Sequence, residues 1–140
     1  MHRKPDWDAR LAAYLEPLRT RPFAWGEHDC CTFTAGAVEA MTGVDPIPEF
    51  RDRYTTAIGS ARALRRYGAG TLAATLDGKF ARISPPLAHR GDLIMSSGLL
   101  GLAWGAFLIA VGSDGDREGL VRIERARWVD PIAWRVEFEG

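Results

Sequence analysis

The fold of this chain depends on the stretch Trp25-Gly26-Glu27-His28-Asp29-Cys30-Cys31-Thr32-Phe33. Asp29 is a good helix cap, and Gly43 is a typical helix stop, so a helix is predicted from Cys30 to about Thr42. The first turn of a helix offers unpaired N–H groups and a partial positive charge, and both favour a thiolate. The pattern therefore indicates Cys30 as a candidate nucleophile.

The two cysteines also have plainer interpretations. A free cysteine is often a small buried hydrophobe, and Cys30 is open to that reading. Adjacent residues on a helix point about 100° apart, so Cys31 is expected to serve packing instead. Neighbouring cysteines provide neither a disulfide framework nor the spacing of a metal site. No cofactor and no metal ion are expected.

A cysteine nucleophile needs a base, and the chain contains three histidines. His28 lies two residues before Cys30, where the start of the helix keeps its ring from the same thiol, so we interpret it as a loop residue. His89 is the one histidine that follows Cys30, and it is a weak candidate base. A histidine just before a predicted strand is more often a surface residue than a base. His2 belongs to the terminal segment.

Composition narrows the class of protein. The chain has 140 residues, 46% of them hydrophobic and 26% charged, and is expected to form one domain over residues 1–140. Lys and Arg balance Asp and Glu at 18 each, which favours neither nucleic acid nor an anionic membrane as partner. We find no signal-peptide pattern and no apolar run of membrane-spanning length, so synthesis in the bacterial cytoplasm without membrane insertion is expected.

The order of predicted elements favours an α+β fold with helices first. Apolar periodicity and caps predict helices over residues 6–18, 30–42, 56–67 and 70–76. Strands are predicted over residues 92–95, 106–111, 120–124 and 133–138, with a hairpin turn at 113–116. Residues 98–105 are predicted to be a loop between two strands.

The order of motifs resembles that of the NlpC-like cell-wall cysteine peptidases over roughly residues 20–125. The resemblance implies a papain-like α+β domain, with N-terminal helices packed on a small antiparallel sheet. Carried over residue by residue, Cys30 takes the nucleophile's place and Cys31 stands where serine is usual. The motifs are Pro22-Phe23-Ala24-Trp25-Gly26, Asp29-Cys30, Gly91-Asp92-Leu93-Ile94 and a strand ending in Val111-Gly112.

Three departures from the family pattern bear on activity. Phe23 replaces the usual tyrosine, and Cys31-Thr32 replaces the usual Ser-Gly. Aligning the family's second strand on Val111-Gly112 puts Ala106 or one of its neighbours where the catalytic histidine belongs. His89 begins the first strand, roughly 16 Å from the end at which the base is needed.

Short domains of this kind occur among the tail genes of phages, prophages and gene transfer agents. The expected function is therefore a tail-tip-associated structural protein on a peptidase scaffold, catalytically impaired for want of the histidine, and located in the virion. An active peptidoglycan-directed thiol peptidase or amidase using Cys30 is one alternative, and a cytoplasmic non-viral protein of the same fold is another. The expected partners are other tail-tip proteins of the hub or distal tail, and peptidoglycan peptides. The apolar residues 98–105 are the best candidate for the attachment surface, and the alternative is that this segment folds back over the domain's own core.

Overall fold

A computed structural model of the chain describes residues 1–114 and 117–138 and consists of helices followed by an antiparallel sheet. The predicted α+β class is therefore confirmed at this level. None of the helices in these residues is long and apolar enough to cross a membrane. The helices are α1 (Trp7–Leu15), α2 (Cys30–Thr42), α3 (Ala57–Tyr67) and α4 (Leu72–Asp77), with 3-10 turns at Glu16–Leu18, Pro48–Phe50, Pro85–Leu87 and Arg125–Arg127.

All neighbouring strands of the sheet run antiparallel, in the order β1-β6-β2-β3-β4-β5. The last strand of the chain therefore returns to lie between the first two. The strands are β1 (Ala81–Ile83), β2 (Leu93–Ser96), β3 (Leu99–Trp104), β4 (Phe107–Asp114), β5 (Arg117–Glu124) and β6 (Ile132–Arg135).

Helix α2 begins and ends where the sequence predicts. The Asp29 side chain accepts hydrogen bonds from the backbone N–H groups of Cys31 and Thr32, and the Thr32 hydroxyl accepts one from the Asp29 backbone, which completes a capping box. At the other end, Gly43 takes a left-handed conformation with φ of 79°. The predicted nucleophile, Cys30, is the first residue of this helix.

The other predicted helices form with small shifts of their ends. The first is split, because α1 gives way to the 3-10 turn at residues 16–18, and Asp6 pairs with Arg10 instead of capping the helix. Hydroxyl side chains begin the next two helices, since Thr56 accepts from Gly59 N and Thr71 accepts from Ala74 N.

The four predicted strands correspond to β2, β4, β5 and β6, with ends shifted by a few residues. Of the predicted hairpin turn, residues 115 and 116 lie outside the described residues. Strands β4 and β5 on either side of it pair along their length. Strand β1 was not predicted.

Residues 98–105 are not a loop, and the predicted attachment surface is wrong. They contain strand β3, which pairs with β2 and β4 in the middle of the sheet. Leu100 and Leu102 are 2% and 0% exposed and belong to the core, so they are not accessible to a partner. The flanking glycines, Gly98 and Gly105, belong to the two tight turns that join β3 to β2 and to β4.

The main core lies between α2 and the sheet. The predicted apolar face of α2 is fully buried, and it packs against one face of β3 and β4 together with α1. The helix faces the sheet along residues Phe33, Ala37, Val38 and Met41. This packing fixes the first turn of α2, and with it Cys30, against the centre of the sheet.

Candidate active site

The turn before Cys30 is held by the Asp29 carboxylate. Its oxygens accept hydrogen bonds from the backbone N–H groups of Gly26, Cys31 and Thr32, all at 2.9 Å. Gly26 has φ of 79°, and a Cβ on it would lie 2.1 Å from the carbonyl oxygen of Tyr54. Only glycine fits a position with that conformation and that neighbour. The spacing Trp-Gly-x-x-Asp-Cys is thus explained by the geometry that delivers the cysteine to the helix start.

Tyr54 completes this turn from a distant part of the chain. Its buried hydroxyl donates to Asp29 Oδ2 at 2.6 Å. Burial raises the pKa of the Tyr54 phenol, and the hydrogen bond to Asp29 raises it further. Sequence reasoning missed this residue because no local pattern links it to Asp29.

The Cys30 thiol is free and half-buried. It hydrogen-bonds with the Cys31 thiol and with the backbone N–H of Leu100, and these contacts lower the pKa of Cys30, while burial opposes them. The largest cause of the lowered pKa is thus the Cys31 thiol, whereas the sequence pattern predicted the effect from the helix end. A lowered pKa is one property that a thiol nucleophile needs.

The Cys31 thiol has the opposite character. Its hydrogen bond to Cys30 and its burial raise the pKa of Cys31 well above the ordinary value. It lines an apolar cavity of about 30 Å³ under α3 and α4, together with Phe50, Leu64 and Leu76. Cys30 is the more acidic of the two thiols, which favours it as the reactive one.

Strand β3, not the later strand at Val111-Gly112, lies next to β2 and faces the start of α2. Val111 and Gly112 lie in β4, which is one strand farther from β2. Ala106, which the alignment on these two residues placed at or beside the histidine position, lies in the exposed turn between β3 and β4. The Leu100 side chain is 2% exposed and belongs to the same apolar cluster that Cys30 packs against.

His28 lies in the turn before α2, as predicted, but its side chain is only 2% exposed. Its ring packs edge-on against Phe33 with ring centroids 6.1 Å apart, and its Nε2 atom has no hydrogen-bond partner among the described residues. Burial lowers the pKa of His28 below its usual value, and nearby Arg21 adds to the effect. The ring is therefore a neutral part of the core.

His89 lies apart from the groups that contact the Cys30 thiol. Its side chain is exposed, and its ring packs edge-on against Phe138 at a centroid distance of 5.6 Å. Its backbone N–H donates to Asp92 Oδ2 at 2.8 Å. The hydrogen-bond partners of the Cys30 thiol are instead Cys31 and Leu100.

The Gly-Asp of Gly91-Asp92-Leu93-Ile94 has a structural role. Asp92 is fully buried and accepts four hydrogen bonds, from the side chains of Arg3 and Arg135 and from the backbone N–H groups of His89 and Val136. Gly91 has φ of 89°, and a Cβ there would lie 2.8 Å from the sulfur of Met41. The motif ties the N-terminal segment and β6 to the start of β2.

Arg3 is the main partner of Asp92 and is 2% exposed. Its guanidinium lies between the rings of Trp7 and Phe138, 4.3 and 4.2 Å from their centroids. It also donates to the carbonyl oxygens of Arg90 and Val136. Sequence reasoning missed this ion pair, because its two members lie 89 residues apart.

The buried neutral His28 makes acid sensitivity an expected property. Because the folded protein holds His28 with a lowered pKa, the unfolded chain binds the proton more readily below about pH 6.5, and the free energy of unfolding falls as pH falls. The slope from this group can reach about 1.4 kcal/mol per pH unit. Urea unfolding of the wild type and of His28→Leu between about pH 7.5 and pH 5 measures it.

We expect His28→Leu to lose less stability over that range than the wild type. The control is His2→Leu, because His2 is exposed at the terminus. Parallel pH profiles for the wild type and His28→Leu would show that His28 is accommodated in its charged form.

The fold and site together define an α+β protein with a capped, polarised cysteine at the start of its central helix. No group of three or more His, Cys, Asp or Glu side chains that could hold a metal ion is found within residues 1–114 and 117–138. The chain belongs to the family described as Domain of unknown function (DUF6950), which matches residues 2–136. No curated protein and no solved structure matches it.

Proposed function

We propose that this protein is a phage or prophage tail-tip-associated structural protein, built on an NlpC-like, papain-like scaffold that has lost peptidase activity. The order of motifs supports the scaffold, since Trp-Gly-x-x-Asp-Cys leads into a helix and Gly-Asp-Leu-Ile forms a strand beside it. The packing of α2, with Cys30 at its start, on an antiparallel sheet is what such a scaffold requires.

The observation that carries the proposed loss of activity is the apolar setting of Cys30, which packs against the buried cluster that contains Leu100. A thiol peptidase uses an imidazole to take the proton from sulfur and to return it to the leaving amine. At Cys30 the neighbouring strand offers the Leu100 backbone and an aliphatic side chain. General-base assistance is worth about 10² to 10⁴ in rate, so its loss leaves a poor peptidase.

An active thiol hydrolase is the second candidate, and one observation favours it. The neighbours of Cys30 lower its pKa, so a larger fraction of this thiol is ionised than in a free cysteine. A thiolate alone can attack a carbonyl carbon, but the expelled amine then needs a proton from elsewhere. The two candidate functions therefore differ more in the rate of catalytic turnover than in the rate at which the Cys30 sulfur reacts.

Cys30→Ala distinguishes the two candidates. Phage particles are induced from a strain that encodes the wild type and from one that encodes the variant, and their purified tails are probed for the protein. In a separate assay, the purified wild type and variant are incubated with muropeptides. We expect both forms to copurify with tails in equal amount, and neither to cleave. The protein's absence from purified tails would refute the tail assignment, and cleavage by the wild type that Cys30→Ala abolishes would establish the hydrolase.

A further inference from the structure

The outward side of α3 carries an unusual concentration of arginine. Ile58, Arg62, Arg65 and Arg66 recur at helical spacing, and all four are exposed. The opposite side of the helix buries Ala63 and half-buries neighbouring residues. We call these four exposed residues the α3 arginine face.

The charge of this face is not balanced nearby. Residues 51–71 contain five arginines and one carboxylate, Asp52, although the whole chain has no net charge. Arg51 is paired with Asp45, but no ion pair of Arg62, Arg65 or Arg66 is found within the described residues. The face therefore presents three positive charges to whatever approaches it.

Folding alone does not explain all three arginines. The helix dipole favours Arg65 and Arg66, which lie in the last turn. Arg62 lies one turn earlier, and like charges three and four residues apart destabilise a helix. An anion bound at this face would offset the repulsion of Arg62 by Arg65 and Arg66.

The face is also partly preorganised. The guanidinium of Arg66 lies 5.4 Å from the centroid of the Tyr67 ring, and that of Arg53 lies 4.8 Å from the same centroid. Stacked arginines lose less side-chain freedom on binding, and their planar groups match carboxylates in pairs of hydrogen bonds. The absence of lysine from residues 51–71 fits this mode of recognition.

Ile58 points to the kind of partner. It is 68% exposed and lies one turn before Arg62 on the same stripe. A nucleic-acid backbone offers no counterpart for an isolated aliphatic side chain, and one exposed apolar residue is too little for a membrane surface. A protein segment that combines carboxylates with an apolar side chain complements both features.

We propose that the α3 arginine face is a docking surface for an acidic segment of another protein, with Ile58 as the apolar contact. The inference rests on the charges and exposure of α3 alone. It holds whether or not the protein is a tail component or a peptidase, so its test and that of the proposed function fail separately.

The test uses a short fluorescent glutamate peptide with one central leucine, and the full chain. We expect Arg62→Gln/Arg65→Gln/Arg66→Gln to weaken binding by about tenfold or more at low salt, since several exposed charges act together. The matched control, Arg19→Gln/Arg21→Gln/Arg127→Gln, removes the same charge from exposed positions elsewhere and should bind as the wild type does. Ile58→Ser should weaken binding of this peptide but not of an all-glutamate one.

Several outcomes would overturn the proposal. The proposal fails if the wild type does not bind the peptide, or if the two triple variants lose peptide binding equally. It also fails if the wild type binds a single-stranded oligonucleotide of the same charge, or phosphatidylglycerol vesicles, more tightly than it binds the peptide. A concentration-dependent dimer that the α3 triple variant abolishes would instead assign the face to a second copy of the chain. Circular dichroism melts confirm that each variant is folded before binding is measured.

Discussion

Asp92→Ala is expected to cost about 3 to 5 kcal/mol of the free energy of unfolding, the usual effect of breaking a buried ion pair by removing one partner. The carboxylate is fully buried, and its loss leaves the Arg3 guanidinium without its anion in the core. It also leaves the backbone N–H of Val136 without its acceptor. Because small domains are stable by only about 5 to 15 kcal/mol, this loss removes a large share of the total stability and should lower the unfolding midpoint strongly.

Urea unfolding followed by circular dichroism measures this effect. The matched control is Glu39→Ala, which removes an exposed carboxylate from α2 and should change stability by about 0.5 kcal/mol or less. Equal unfolding midpoints for Asp92→Ala and Glu39→Ala would refute the structural role assigned to the Gly-Asp motif.

Leu100→His is expected to make Cys30 strongly reactive. The backbone of residue 100 is close to the thiol and its side chain lies in the cluster that Cys30 packs against, so we expect an imidazole at this position to reach the sulfur and hold it as a thiolate–imidazolium pair. Iodoacetamide labelling near pH 6 should then rise about tenfold, because the larger thiolate fraction outweighs the lower nucleophilicity of a less basic sulfur.

Leu102→His is the matched control for this gain. It places the same ring in the same buried cluster, but about 7 Å farther along β3. Both variants bury a histidine in the core, so their melting temperatures should fall together while only Leu100→His gains reactivity. Equal labelling rates in the two variants would mean that residue 100 does not face the thiol.

Much of the helical part of the fold could be predicted from local signals. Asp29 and Gly43 mark the two ends of α2, and both act through groups a few residues away. The hydroxyl caps Thr56 and Thr71 act in the same local way. Such helix ends can be predicted because both partners of each capping hydrogen bond lie within a few residues of each other in the sequence.

Strand β3 was not predicted because its sequence does not alternate between polar and apolar residues. Both faces of the strand are buried, so Leu-Leu-Gly-Leu-Ala-Trp lacks the alternation of a half-exposed strand. Ser97 and Gly98 both have positive φ, as in a type I′ turn, and Gly105 opens the next two-residue connection. Those tight turns were the signal that could have identified the strand.

The candidate site was predictable at one residue and not at its neighbours. Cys30 follows from its cap, but Tyr54 and Leu100 reach the site through packing of distant segments. The same holds for Arg3 and Asp92, which stabilise the fold from opposite parts of the chain. No periodicity or spacing encodes these contacts, so only the structure identifies them.

The most direct test of a polarised cysteine without a base is the pH dependence of Cys30 labelling in the wild type. Peptide mass spectrometry resolves the iodoacetamide reaction at Cys30 from that at Cys31. We expect Cys30 to react at pH 7 modestly faster than a free thiol and to lose reactivity steadily on acidification, because no imidazolium maintains the thiolate. Rapid labelling that persists to about pH 5, as in cysteine–histidine pairs, would contradict this account.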